Sequence, residues 1–140
     1  MIVIDSSAVV AIMREEVAAE ALMKRLAEEP TGQRLMSSAS YLESGSVLAG
    51  HKKGEPLTAI EDLEGFIAEA GIDLADVDSE QARIALRARI EYGRGFGSRA
   101  KLNFGDCFSY ALAKSRSAPL LYVGGDFDET DIEPALKAKA

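Results

Sequence analysis

The chain opens "MIVIDSSAVV" (residues 1–10), and the decisive feature is Asp5, set directly behind the apolar run Ile2-Val3-Ile4. The triplet reads as a short buried strand. A carboxylate at the end of such a strand is costly unless something pairs with it. Asp5 therefore either caps the helix that begins at "SSAVVAIMREE" or holds a cation, with Ser6 or Ser7 helping to cap that helix.

Working outward, "RLMSS" (34–38), "IDLADV" (72–77) and "PLLYVGG" (119–125) read as further strands. Helical segments separate them. Ala19, Leu22, Met23 and Leu26 follow an i, i+3, i+4, i+7 spacing in a helix over 17–28. "ASYLESGSVLAGHKKG" (39–54) reads as a helix ending at Gly54. "LTAIEDLEGFIAEAG" (57–71) places Ala59, Leu63, Phe66, Ile67 and Ala70 on one face, with Gly71 as C-cap. "SEQARIALRARIEYG" (79–93) is a helix, and "NFGDCFSYALAKSRS" (103–117) another, capped by Asn103. "DFDETDIEPALKAKA" (126–140) reads as an acidic turn and a short tail that frays at its end. Strands alternating with helices predict an α/β fold, a three-layer sandwich whose central, mostly parallel sheet is flanked by helices. No stretch resembles a linker, so residues 1–140 are expected to form one domain.

Composition narrows the function classes. The 140 residues carry one cysteine, Cys107, so no intrachain disulfide and no CxxC metal site exists. That fits a cytoplasmic protein. No basic residue precedes Arg14, unlike a signal peptide, and no apolar run approaches the roughly 18 residues of a membrane span. The net charge of −7, from 16 basic and 23 acidic side chains, argues globally against a polyanionic partner. The charge is unevenly placed, however. Arg83, Arg87, Arg89, Arg94, Arg99 and Lys101 crowd one stretch against Glu91 alone. This stretch is either a solvated helix face and loop or a groove that neutralises RNA phosphates. Its "GRGFG" loop lacks the GK[ST] ending of a P-loop, and Phe96 within it is a candidate to stack on a base.

In parallel sheets ligands gather at the carboxyl ends of the strands. Asp5 and Asp126 follow strands, while Glu43 and Asp106 lie in the first turns of helices. Singly, each has a structural explanation as a cap, a dipole complement or a turn residue. Together they converge on one side of the sheet. Two carboxylates about 4 Å apart repel by roughly 4 kcal/mol at an effective dielectric near 20, so such a cluster needs a cation or a shared proton. No Lys or His accompanies them locally. A hard cation with oxygen ligands is the natural solution, and Mg²⁺ takes one or two carboxylates and keeps several waters.

The segments "VIDSSAVVAI", "SSASYLESGSVL", "LNFGDCFSYALAK" and "PLLYVGGDFDETDI" span the whole chain in order, and their combination resembles the PIN-domain nucleases, in particular the VapC-type toxins of bacterial toxin–antitoxin pairs. The resemblance implies a PIN-like sandwich and a Mg²⁺ centre (Mn²⁺ as the alternative) built from Asp5, Glu43, Asp106 and Asp126. Asp5 and Asp106 would be direct ligands; Glu43 and Asp126 would act through water or on a second ion. Asp128 and Asp131 crowd the same turn as Asp126, which is preferred because it directly follows the strand and precedes Phe127. Ser7 matches a small polar position that orients the first Asp. The resemblance further implies a metal-dependent endoribonuclease leaving a 3′-hydroxyl and a 5′-phosphate, a VapB-type antitoxin as inhibitor, and homodimerisation. Arg83, Arg87, Arg94, Arg99 and Lys101 are then the candidate RNA-binding residues. The helices over 17–28 and 39–51 are candidates for the antitoxin groove or the dimer contact.

Two other protein classes share some of these features. An Asp-based phosphotransfer protein wants a second Asp two positions on, where Ser7 stands, or a Lys after a later strand, which "LLYVGGD" lacks. A catalytically silent module of the same fold would leave its acids free to change, and all four are present. His51 reads as a surface residue, and with a single histidine triad chemistry is unexpected. Cys107, turned about 100° from Asp106, reads as a buried structural thiol. Tyr110, on the Asp106 face, reads as a wall of the site.

Overall fold

The computed structural model describes residues 1–51 and 54–137. Its order is β1 (Ile2–Ile4), α1 (Ser6–Met13), α2 (Ala19–Ala27), β2 (Arg34–Ser37), α3 (Ser38–Ala49), α4 (Pro56–Glu69), β3 (Asp73–Ala75), α5 (Ser79–Tyr92), α6 (Asp106–Arg116) and β4 (Leu120–Leu121). The strands form one sheet in the order β3-β2-β1-β4. Every pairing is parallel: Ile2 sits opposite Arg34, Val3 opposite Leu120, and Leu35 opposite Asp73.

Strand alternation sorts the core into two layers. Ile2, Ile4, Met36 and Leu121 face α1, α2 and α4, where Val9, Leu22, Leu26, Leu63 and Ile67 meet them. Val3 and Leu120 face the other way, onto Ala85 and Ala88 of α5 and Ala111 and Leu112 of α6. The small residues of α5 let it lie closely along α6. Helix α3 bridges the layers. Its Tyr41 and Leu48 join the first core, while Ser40 Oγ and Ser109 Oγ share a buried 2.8 Å hydrogen bond with α6.

Several boundaries differ from expectation. Helix α3 ends at Ala49, capped by Gly50 rather than running to Gly54. Lys52 and Lys53 of that stretch, and the tail end at 138–140, lie outside the described residues. Met23 is exposed, because the apolar face of α2 narrows to Leu22 and Leu26. β3 is confined to Asp73–Ala75. β4 stops at Leu121, so Tyr122–Gly125 form a loop in which Gly124 adopts φ +93, a conformation that favours glycine. Gly71, at φ +62 just past α4, is the glycine end-cap the sequence predicts. On its outer side, β4 is covered by the tail. Leu120 N–H donates to Glu133 O, Ala135 N–H donates to Leu120 O, and Leu120 and Pro134 form an isolated parallel bridge.

Candidate metal centre

Four elements bring acids to the same edge of the sheet. Asp5 leaves the central strand β1, Glu43 lies in the second turn of α3, Asp106 opens α6, and Asp126 follows the loop after β4. Asp126 is thus five residues past its strand rather than directly behind it, because β4 is so short.

Of the two readings of Asp5, the cap is seen directly, on one of its oxygens. Asp5 is the N-cap of α1, and its Oδ2 accepts from Ser7 N–H at 3.0 Å. Ser6 and Ser7 do not cap that helix with their side chains. The other oxygen, Oδ1, is buried with no hydrogen-bond partner, in a residue that is 1% exposed. An ionised oxygen in that state carries its full desolvation penalty until a cation or proton meets it.

Asp106 is buried too, at 6% exposure. It is held by a reciprocal pair of hydrogen bonds. Asn103 Oδ1 accepts from Asp106 N–H at 2.8 Å, and Asp106 Oδ2 accepts from Asn103 N–H at 3.0 Å. Asn103 is not the N-cap its sequence position predicts: Gly105 holds that position without a side-chain cap bond, and Asn103, two residues further back along the chain, instead accepts from the Asp106 N–H. Burial pushes the Asp106 carboxyl up to about 7, against the opposing hydrogen bond from Asn103, and the negative charges of Asp5, Asp126 and Glu43 push it further. The other three sequence-predicted acids therefore all act on the Asp106 carboxyl group.

Glu43 is fixed by a contact that sequence reading missed: the Ser6 hydroxyl donates to Glu43 Oε1. Thirty-seven residues separate the pair, and no periodicity signals it. Ser7 serves the site through its backbone amide, as above. Its hydroxyl faces elsewhere, accepting from Val123 N–H at 3.0 Å and so pinning the Asp126 loop to α1.

The neighbouring acids are engaged in other ways. Asp128 accepts from the Tyr122 hydroxyl at 3.0 Å. Asp131 accepts from Tyr110 at 2.6 Å and Lys114 at 2.9 Å. Burial works against the Asp131 charge, yet those two bonds hold its carboxyl below the ordinary range. Tyr110 is accordingly turned to Asp131, with its ring 5.7 Å from Tyr92, rather than free at the site. Cys107 is buried, and desolvation pushes its thiol up to about 11, as befits a structural residue. His51 is exposed.

Among the described residues no three His, Cys, Asp or Glu side chains form a ready coordination set. The donors present nonetheless suit a hard cation that needs few protein ligands. The unpartnered Asp5 Oδ1 and the charge-crowded Asp106 are oxygen donors of the type Mg²⁺ accepts, one or two at a time, with water filling the remainder.

On α5 and the loop beyond it, Arg83, Arg87, Arg94, Arg99 and Lys101 are exposed. Among the described residues none of them enters a salt bridge. Arg89 differs. Its guanidinium lies 5.0 Å over the Phe96 ring and donates to Arg94 O, so Phe96 is already stacked on a cation.

A parallel sheet with carboxylates converging at one edge suits metal-assisted chemistry on phosphate esters. The family model described as PIN domain matches residues 2–133, and the chain belongs to the PIN domain family. Ribonuclease VapC28 of Mycobacterium tuberculosis is 43% identical over 134 residues, covering 96% of this chain and 97% of that protein. Ribonuclease VapC of Mycolicibacterium smegmatis is 45% identical over 130 residues, covering 93% and 96%. Among solved structures, Mycobacterium tuberculosis VapC20, described as a sarcin–ricin loop cleaving toxin, superposes with a TM-score of 0.71 at 17% identity, covering 94% of this chain and 96% of that one. A chain of FitAB bound to an IR36 DNA fragment gives 0.68 at 21% identity, covering 96% and 93%. No helix of the described residues is long and apolar enough to cross a membrane.

Proposed function

We propose that the protein is a metal-dependent endoribonuclease and the toxin of a type II toxin–antitoxin pair, with Asp5, Glu43, Asp106 and Asp126 as its centre. The observation that carries this reading is the buried, unpartnered Asp5 Oδ1, on the same edge as an Asp106 carboxyl raised by all three other acids. Asp5 and Asp106 would hold Mg²⁺, or Mn²⁺, directly, with Glu43 and Asp126 acting through water. A divalent ion bound there supplies an acidified water and counter-charge for a phosphodiester. The chain itself supplies placement. Asp5 is locked by its helix cap, Asp106 by its exchange with Asn103, and the Asp126 loop by Ser7. No histidine, cysteine or serine nucleophile is called on.

Arg83, Arg87, Arg94, Arg99 and Lys101 would bind RNA phosphates, giving an acidic chain one cationic approach. A VapB-type antitoxin would restrain the enzyme, which would act in the cytoplasm as a homodimer. Helices α2 and α3 remain the candidate surfaces, since Met23, Leu42 and Val47 on them are exposed.

The test is cleavage of total RNA and tRNA by purified protein, with and without Mg²⁺ or Mn²⁺, beside Asp5→Asn at matched thermal stability. Wild-type protein cuts only with metal, and Asp5→Asn loses at least about 100-fold, the scale of losing a main electrostatic contributor. Equal cutting by both proteins would refute the assignment. No cutting together with no metal binding favours the silent-module reading, whereas metal binding without cutting points to a narrower RNA target.

A further inference from the structure

Glycine at position 105 has no backbone reason to be glycine. Its φ of −64° and ψ of −38° are ordinary right-handed helical values, open to any L-residue. The reason lies across the site. A Cβ built on Gly105 would overlap Glu43 Oε2 and lie 2.6 Å from Glu43 Cδ, closer than real Cβ atoms come. On its other oxygen, Glu43 Oε1 accepts from the Ser6 hydroxyl. The Glu43 carboxylate thus lies between the hydroxyl at the start of α1 and the bare Cα that precedes Asp106. Ser6 is itself buried, at 8% exposure.

We infer that Ser6 and Gly105 form a two-sided seat that positions the Glu43 carboxylate beside Asp106, and that Gly105 is glycine to admit Glu43 rather than to shape the chain. This rests on the metal-centre reading above. Both are positioning residues that act through Glu43. A methyl group at 105 leaves α6 intact, since the right-handed φ and ψ there are open to alanine, which has less unfolded-state freedom to lose than glycine, and it displaces the flexible group nearest to it, the end of the Glu43 side chain. Fold and site therefore respond in opposite directions to one substitution, which a purely structural glycine would not allow.

The experiment compares wild type, Gly105→Ala, Ser6→Ala, Glu43→Gln and the double variant Gly105→Ala/Glu43→Gln. Each is assayed for Mn²⁺ binding by calorimetry without RNA, for Tm without metal, and for cleavage. Gly105→Ala keeps or raises Tm, weakens Mn²⁺ binding roughly 3- to 10-fold and lowers kcat with the KM for RNA little changed. Ser6→Ala weakens Mn²⁺ binding in the same direction. In the Glu43→Gln background Gly105→Ala adds nothing further, the non-additivity expected of residues acting through one group. If wild type binds Mn²⁺ and Gly105→Ala binds it equally well, the seat is overturned and the metal centre stands. An undiminished loss in the Glu43→Gln background, or a Tm several degrees lower, also overturns the seat, because Gly105 then acts otherwise than through Glu43. A wild type that binds no Mn²⁺ removes the metal centre and the seat with it.

Discussion

At the scale of single residues, Asp106 makes the centre's charge visible as a pH effect. Its folded carboxyl titrates near 7 against an ordinary 3.8. The folded state therefore binds the proton more tightly than the unfolded chain. Stability contributed by the neutral form is full below about 4 and is lost as pH rises through about 7. A shift of about 3 units corresponds to at most roughly 4 kcal/mol. Thermal unfolding of metal-free protein should show Tm falling across that window. Asp106→Asn, which stays neutral, should flatten the slope and raise Tm at pH 7.5, at the expense of metal-dependent cleavage. A slope unchanged in Asp106→Asn would mean that other groups carry it. The acids stood out in sequence because Asp5 follows a strand, Asp106 opens a helix, and Glu43 and Asp126 lie near such ends. The partners of each oxygen were not. Ser6 reaches Glu43 across 37 positions, and the Ser7 hydroxyl turns to Val123 instead of Asp5. Such pairings exist only once the chain has folded.

Among elements, α5 is the one whose exposed face does not suit an acidic protein. It buries Ala85 and Ala88 toward α6 and presents Arg83 and Arg87 outward. Without salt-bridge partners among the described residues, these cations are available to phosphates. Arg83→Ala and Arg87→Ala should each weaken RNA binding about 3-fold with kcat unchanged. Each should also flatten the dependence of log K on log salt by about 0.7, the value for one single-strand phosphate contact. Titration of RNA binding at several salt concentrations measures both. An unchanged salt slope would return this face to ordinary solvation. Elements themselves were readable where apolar runs were short and continuous, as in Ile2-Val3-Ile4, or periodic, as in α4. Reading failed where two signals competed. Gly50 ends α3 before Gly54 can. The apolar "LLYV" run promised a longer β4 than the loop at Gly124 permits. That shortening carried Asp126 away from its expected strand end.

For the whole molecule, the sheet order β3-β2-β1-β4 sets the most apolar strand near the centre and leaves β3 and β4 as borders. The β3 border is three residues long and partly polar. The β4 border is closed by the segment around Pro134, through the two bonds to Leu120. Proline has no N–H to offer the next strand, so the border ends there in a residue that cannot extend the ladder. The tail therefore acts as a stopper against self-templating. A chain shortened after Asp131 would bare the outward N–H and C=O of Leu120 on a flat apolar rim, the usual starting point for edge-to-edge aggregation. Light scattering of such a chain should grow with concentration and time while the full chain stays clear. Equal clarity would show that the rim is guarded in another way. On this account, cutting the chain after Asp131 would remove the protein from solution while all four candidate acids remained in the chain.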